Sequence, residues 1–190
     1  MQDIEPYYRW RDLYDASMDE GSPFFGREYN EFEFTNTIYN YYIHPQWDDI
    51  GSPTLYIKLL FVDYELGFAI IEMIGEWNDA INNDIMTLKR DIAEELMSQG
   101  IKHFIFIGEN VLNYHASDDC YYEEWYDDLA DDNGWLVMLN FREHVRREMN
   151  RNNIDSYFIS GGEMDDLNWR IYKPLQLFEK LQNLISRRLN

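Results

Sequence analysis

From residue 54 onward, apolar segments of strand length alternate with amphipathic segments of helical length. The segments "TLYIKLLFV" (54–62) and "GFAIIEMIG" (67–75) are β-prone and lie four residues apart, which predicts a hairpin. Further strands are predicted at 102–108, 134–140 and 154–160. The predicted helices cover 78–100, 120–131, 141–152 and 174–189. Strands that alternate with helices predict an α/β domain with a mixed sheet and packed helices.

The apolar residues of the first and last predicted helices recur at helical spacing. In the first helix the apolar stripe is Ile81, Ile85, Leu88, Ile92 and Leu96. In the last helix it is Leu177, Leu181, Leu184 and Ile185. Gly100 stands where a helix commonly ends, and Pro174 stands where one commonly begins. One face of each helix is therefore expected to pack on the sheet.

Residues 1–53 contain thirteen aromatic residues, eleven acidic residues and three arginines. Such a segment is too aromatic for an ordinary disordered tail. Within it, "EFEFT" (31–35) alternates as a half-buried strand does, and "IYNYYIH" (38–44) is also β-prone. We therefore expect an ordered extension at 1–53 that packs on the main domain or on a partner subunit. A core domain at 54–165 and a C-terminal helix at 166–190 that packs on this domain complete the predicted organisation.

The formal net charge of −20 restricts the class of partner. Nucleic acid and anionic lipid both prefer a basic surface, so neither is an expected partner. The electrostatic field of such a negative chain attracts a basic protein surface or a cation. No apolar run approaches the roughly 20 residues that span a bilayer, and the first residues lack the pattern of a signal peptide. Because Cys120 is the single cysteine, no intramolecular disulfide can form, and a cytoplasmic location is expected.

Two segments carry a resemblance to a known family. "GEWND" (75–79) is similar to the Gly-Glu-Leu-Asp turn that closes the second strand of STAS domains, the anti-sigma-factor-antagonist family. "GWLVMLNFREHVRREMNRNNIDSYFIS" (134–160) resembles the C-terminal half of these domains, with a glycine before an apolar strand and a Val-Arg-Arg helix. The resemblance covers about 54–162. It implies a STAS-like fold and a regulatory role through partner-protein binding, in some relatives with a small ligand.

STAS antagonists carry Asp-Ser-Ser-Gly in the loop that follows the third strand, and a kinase phosphorylates the second serine. The resemblance places Ser117 at this phosphoacceptor position, where the chain has "HASD" (115–118). Residues 109–132 contain nine carboxylates and neither lysine nor arginine, so like-charge repulsion opposes a phosphate at Ser117. The simpler interpretation is that Ser117 or Asp118 caps the next helix.

Other chemistry is conceivable for this acidic segment. Its hard metal ligands are Glu109, His115, Asp118, Asp119, Glu123 and Glu124. Their spacing matches no EF-hand and fixes no coordination geometry, so we expect no metal and no cofactor. The acidic neighbours of Cys120 raise a thiol pKa, so a cysteine nucleophile is not expected either. The alternative function is a small metal-assisted hydrolase, or another enzyme, that uses His115, Asp118 and Asp119.

The helix at 120–131 also carries the aromatic run "YYEEWY" (121–126). Trp125 is expected to anchor this helix on the sheet, whereas Tyr122 and Tyr126 could anchor it or bind a partner. The sequence thus predicts a non-enzymatic regulatory or protein-interaction module with its contact surface at 113–128. The expected binding residues are His115, Ser117, Asp118, Asp119, Tyr122 and Tyr126. A third interpretation is an oligomer, in the simplest case a homodimer, that exchanges the aromatic extension between subunits.

Overall fold

The computed structural model describes residues 2–189, and two sheets form in this range. The strands are β1 (Gln2–Ile4), β2 (Asn36–Ile38), β3 (Tyr41–Ile43), β4 (Asp48–Asp49), β5 (Leu55–Asp63), β6 (Phe68–Asn78), β7 (His103–His115) and β8 (Trp135–Leu139). The small sheet has the order β1-β3-β2, and the main sheet has the order β4-β5-β6-β7-β8. Strands β5 and β6 form an antiparallel hairpin, whereas β6, β7 and β8 run parallel. This mixed sheet confirms the predicted fold class and hairpin.

Helices cover both faces of the main sheet. They are α1 (Asp79–Asn82), α2 (Asp84–Thr87), α3 (Glu94–Ser98), α4 (Cys120–Ala130), α5 (Glu143–Arg151) and α6 (Pro174–Leu189). Helices α2 to α5 pack on one face, where Trp125 of α4 meets the rings of Phe104 and Phe106. Helix α6 packs on the other face, where Phe178 stacks on Phe68 with ring centroids 4.2 Å apart. The expected anchoring role of Trp125 is confirmed.

Residues 2–53 contact the main sheet at several points. The buried Trp10 packs edge-on against Trp169, with ring centroids 5.5 Å apart. The backbone N–H of Tyr7 donates to the buried carboxylate of Glu72 at 2.8 Å. Burial raises the pKa of Glu72 to about 7. Tyr7 and Trp10 therefore lie on the same face as α6, next to the middle of β6, whereas Ala16 and Phe24 pack on the opposite face.

The small sheet packs against a different part of the main sheet. Ile38 and Ile43 form a buried cluster with Trp47, Tyr56 and Ile74. The indole N–H of Trp47 also donates to the backbone oxygen of Ile4 at 2.7 Å. Aromatic residues of the extension thus supply both apolar contact and hydrogen bonds, as expected of rings with one polar atom.

Two of the predicted strands are wrong. Residues 31–35 form no strand, and Phe32 is 87% exposed. The reason is local, since the side chain of Asn30 accepts the backbone N–H groups of Phe32 and Glu33 and fixes a turn there. At 154–160 a 3-10 turn occupies Ile154–Tyr157, and only Ile159 pairs with β8.

The helix predicted at 78–100 forms with two interruptions. Asn83 adopts a left-handed conformation (φ 53°) between α1 and α2, and the segment Leu88–Ala93 between α2 and α3 is π-helical. Because of the break, Ile81 lies outside the buried stripe and is 83% exposed. The other four members of the stripe are buried as predicted.

Gly75 allows β6 to pass close to the chain before β5. Its φ is +112°, and an added Cβ would lie 2.1 Å from the backbone oxygen of Thr54. We expect Gly75→Ala to lower the free energy of unfolding by about 3 kcal/mol or more, because the side chain brings both strain and a backbone clash. Gly26→Ala is the control, since Gly26 has φ +75° and an open surrounding, and it should cost about 1 kcal/mol. Equal losses in urea unfolding would contradict this role of Gly75.

Candidate functional site

The candidate site lies where β6 and β7 end side by side. The last residues of the two parallel strands, Asn78 and His115, are register partners. The chain leaves β6 into α1 and leaves β7 into a short loop, 116–119, that leads into α4. The predicted strand 102–108 thus extends to His115, because β7 pairs with β6 along nearly its whole length. The carboxyl ends of parallel strands are common positions for binding sites in α/β folds.

Asp79, at the start of α1, is buried beneath this loop and joins three elements. One carboxylate oxygen accepts the indole N–H of Trp77 at 3.0 Å and the backbone N–H of Ile85 at 2.8 Å. The other oxygen accepts the hydroxyl of Tyr114 on β7 at 3.3 Å and that of Tyr122 on α4 at 2.5 Å. Asp79 thereby links the end of β6, the end of β7 and the first turns of α4.

Burial also changes the pKa of this carboxyl group. It raises the pKa of Asp79 to about 6, although the hydrogen bonds from Tyr122, Ile85 and Trp77 act in the opposite direction. The nearby carboxyl group of Asp84 is also buried and accepts the backbone N–H of Asn78 at 2.7 Å, and burial raises its pKa as well. The base of the loop therefore holds two desolvated carboxyl groups.

The three residues of the predicted enzymatic cluster have different partners. His115 lies 3.5 Å from a carboxylate oxygen of Glu76 and 3.3 Å from the side-chain nitrogen of Asn113. Asp118 accepts the backbone N–H of Cys120 at 3.3 Å. Asp119 accepts the hydroxyl of Tyr157 at 2.7 Å. The fold pairs each of them with a different neighbour and joins them in no shared hydrogen-bond network within residues 2–189.

The surroundings of the loop correct some site predictions. Tyr122 is fully buried on Asp79, so it anchors α4 and cannot be a surface contact. Asp119 occupies the N-cap position of α4 without a side-chain capping bond, and the side chain of Asp118, one of the two expected caps, accepts the backbone N–H of Cys120. Ser117 and Asp118 are exposed, and Tyr126 is 48% exposed. The hydrogen bond to Asp118 raises the pKa of the Cys120 thiol, which confirms the expected suppression of the thiolate.

Lys89, in the π-helical segment, is a second anchor for α4. It is 1% exposed, and its ammonium group lies 2.8–2.9 Å from carboxylate oxygens of Glu94, Glu124 and Asp128. Burial acts to lower the pKa of Lys89, but these carboxylates outweigh it and raise the value above that of a free lysine. Glu124 and Asp128 of α4, both partly exposed, are thus ion-paired within the protein.

The outward-facing carboxylates of α4 have a different environment. Glu123, Asp127 and Asp131 are exposed and recur at i,i+4 spacing. Within the described range 2–189, none of them forms an ion pair with a lysine or arginine, whereas Glu124 and Asp128 do. We call these three residues the acidic stripe. Its charge is available to a partner.

Sequence reasoning missed several residues that shape the site. Glu76 accepts hydrogen bonds from the hydroxyl of Tyr39, in the β2–β3 turn, and from the side chain of Asn78 at 3.0 Å. Asp79, Lys89 and Tyr157 were missed as well. Glu76 and Asp79 lie within "GEWND" (75–79), the segment that carries part of the family resemblance, and this was the signal available in the sequence.

Between residues 2 and 189, no three His, Cys, Asp or Glu side chains are grouped so that they could hold a metal ion. In the same range, no helix has the length and apolar character needed to cross a membrane.

Two solved structures are similar to this chain. The first is the anti-sigma factor antagonist SpoIIAA in its unphosphorylated form, with a TM-score of 0.45, 15% identity, and coverage of 60% of this chain and 95% of that one. The second is the Bacillus cell fate determinant SpoIIAA in the phosphorylated form, with a TM-score of 0.41, 14% identity, and coverage of 61% and 99%. No protein-family model matches the chain, and no curated protein does.

The raised pKa of Asp79 makes stability depend on pH. Between its ordinary value of 3.8 and about 6, the folded state binds this proton more tightly than the unfolded state does. The contribution of Asp79 is therefore fully present below about pH 4 and is lost as the pH rises through about 6. The loss amounts to about 3 kcal/mol. We expect Asp79→Asn to remove this part of the decline in urea unfolding measured across that pH range.

Asp132→Asn is the matched control for Asp79→Asn, because it also removes one carboxylate, from an exposed position. It should leave the pH profile of the wild-type chain unchanged. Parallel profiles for wild type and Asp79→Asn would show that Asp79 does not carry the pH dependence.

Proposed function

We propose that this chain is a non-enzymatic regulatory module that binds a partner protein through the loop and helix at 113–128. The observation that carries the proposal is the acidic stripe of Glu123, Asp127 and Asp131, which is exposed and unneutralised within the described residues. The partner surface is basic, since the stripe and the net charge of −20 attract cations. The same field repels nucleic-acid phosphates and anionic lipid. We place this interaction in the cytoplasm.

The anchoring of α4 supports this proposal. Tyr122 and Trp125 fix the inner side of the helix on the sheet, and Lys89 forms ion pairs with Glu124 and Asp128. The outer side is thus presented on a rigid element, which lowers the entropy cost of binding. Protein interfaces commonly have an aromatic residue at the centre and polar residues around it. The exposed Tyr126 beside the acidic stripe has this composition.

The arrangement favours binding over hydrolysis. A metal-assisted hydrolase needs several ligands that converge on one point, with an open position for water. Here His115, Asp118 and Asp119 each pair with a different neighbour. Their hydrogen bonds stabilise the loop and the start of α4, and this structural role accounts for them.

Neutralising the acidic stripe tests the proposal. We expect the variant Glu123→Gln/Asp127→Asn/Asp131→Asn to capture at least about tenfold less of its partner from the native cell, because three complementary charges are lost. The measurement is quantitative mass spectrometry of proteins retained by the immobilised full chain.

The control variant is Glu28→Gln/Glu31→Gln/Glu33→Gln, which removes the same number of exposed carboxylates from a distant loop. It has the same net charge as the stripe variant, so it should retain the partner at the wild-type level. Equal losses of captured partner in both variants would show that net charge alone determines binding. That result would contradict a defined contact surface.

Ser117 lies on the exposed loop that enters α4, so a kinase could reach its hydroxyl group. Because Asp118, Asp119 and Glu123 already surround it with negative charge, one further charge should change little. We expect Ser117→Asp to alter the affinity for the captured partner less than about threefold, with Ser117→Ala as the control. A loss of more than about tenfold by calorimetry would instead identify Ser117 as a phosphorylation switch.

A further inference from the structure

A cavity of about 220 Å³ opens beside α4. It lies between the second half of this helix, the start of β8 and the 3-10 turn Ile154–Tyr157. Its walls include Tyr126, Leu129, Trp135, Leu136, Tyr157 and Phe158. The lining is mainly aromatic and aliphatic, and the space is sufficient for one long side chain. We call it the tyrosine cavity.

Two tyrosines form one wall of the cavity. The rings of Tyr126 and Tyr157 meet edge to face, with centroids 6.0 Å apart. Tyr126 is 48% exposed, so one part of its ring is open to a ligand. The hydroxyl of Tyr157 donates to Asp119, and this hydrogen bond raises the pKa of Tyr157 to about 12. Both aromatic faces are therefore next to an opening rather than inside the core.

Carboxylates surround this aromatic wall. Asp119 contacts the Tyr157 hydroxyl directly, and the charges of Glu123 and Asp127 also act on Tyr157. Within residues 2–189, Glu123 and Asp127 have no basic partner, so their field at the cavity mouth is uncompensated inside the chain. The tyrosine cavity thus combines aliphatic walls and aromatic faces with neighbouring negative charge.

We propose that the tyrosine cavity seats an arginine side chain from a basic segment of the partner protein. The inference rests on the proposed function and specifies its chemistry. A guanidinium group stacks on aromatic faces, is less strongly hydrated than an ammonium group, and forms forked hydrogen bonds with carboxylates. The aliphatic stem of arginine matches the walls formed by Leu129 and Leu136.

Charge complementarity selects this occupant over the others. An apolar side chain would fill the cavity but would leave Glu123 and Asp127 partly desolvated without a counter-charge, which is unfavourable. A second copy of this chain would bring another net charge of −20 to an already negative surface. Lysine would supply the charge, but its compact, strongly hydrated head group gains less from the tyrosine rings.

Two synthetic peptides test the inference on the full chain. They have equal length, with glycine and serine spacers, and carry either arginines or lysines at the same positions. Because their charges are equal, a difference in binding reports the side-chain chemistry rather than the field. We expect the arginine peptide to bind about fivefold more tightly in fluorescence anisotropy.

Variants of Tyr126 then test whether the preference for the arginine peptide depends on the tyrosine cavity. Tyr126→Ala should remove the preference for arginine, whereas Tyr126→Phe, which retains the aromatic face, should keep it. Since Tyr126 is half exposed, both variants are expected to fold, and circular dichroism checks this. The double variant Glu123→Gln/Asp127→Asn should weaken both peptides by a similar factor, because it lowers the field at the cavity mouth.

Three outcomes would overturn the inference: equal binding of the two peptides, no measurable binding of either, or a preference for arginine that survives in Tyr126→Ala. These failures are distinct from a failure of the proposed function. A contact surface without an arginine-binding cavity would still show loss of partner capture in the acidic-stripe variant. If the proposed function itself fails, that variant captures as much partner as wild type.

Discussion

The buried carboxyl group of Asp79 is the interaction on which the rest of the site depends. It accepts hydrogen bonds from the ends of β6 and β7 and from α4, through Trp77, Tyr114 and Tyr122. Desolvation of a carboxylate is costly, and the surrounding donors offset this cost only in part, as the raised pKa shows. These hydrogen bonds fix the position of α4 relative to the strand ends. They therefore also fix the position of the loop next to His115 that carries Ser117.

Helix α4 separates two electrostatic environments. On the side next to the π-helical segment, Glu124 and Asp128 form ion pairs with Lys89. On its outer side, the acidic stripe projects into solvent. The arginines of α5 do not compensate the stripe, because Arg146 pairs with Asp165, Arg147 with Glu143 and Arg151 with Glu148. A strongly acidic chain can therefore keep one helix face free for a partner, and the tyrosine cavity gives that face a point of specificity.

Apolar patterns were sufficient to predict the hairpin, the first half of β7, strand β8, and helices α5 and α6. They failed at 31–35, where the Asn30 side chain accepts two backbone N–H groups and fixes a turn, and at 154–160, where residues 154–157 form a 3-10 turn. No apolar periodicity reveals either turn. The site itself was harder to predict. In a chain with 36 acidic residues, nothing local distinguishes Asp79, whose role depends on Tyr122, a residue 43 positions away. Tyr157 likewise reaches Asp119 only through the tertiary fold.

Hydrogen–deuterium exchange of the full chain, alone and with its captured partner, tests the central claim most directly. If α4 is the contact surface, the partner should slow exchange in 116–131 and in the turn at 154–159, because these backbone segments surround the acidic stripe and the tyrosine cavity. Exchange in the small sheet, β1 to β3, should remain as in the free chain. Slowed exchange confined to residues 2–43, with α4 unchanged, would contradict the claim and would identify the aromatic extension as the contact surface.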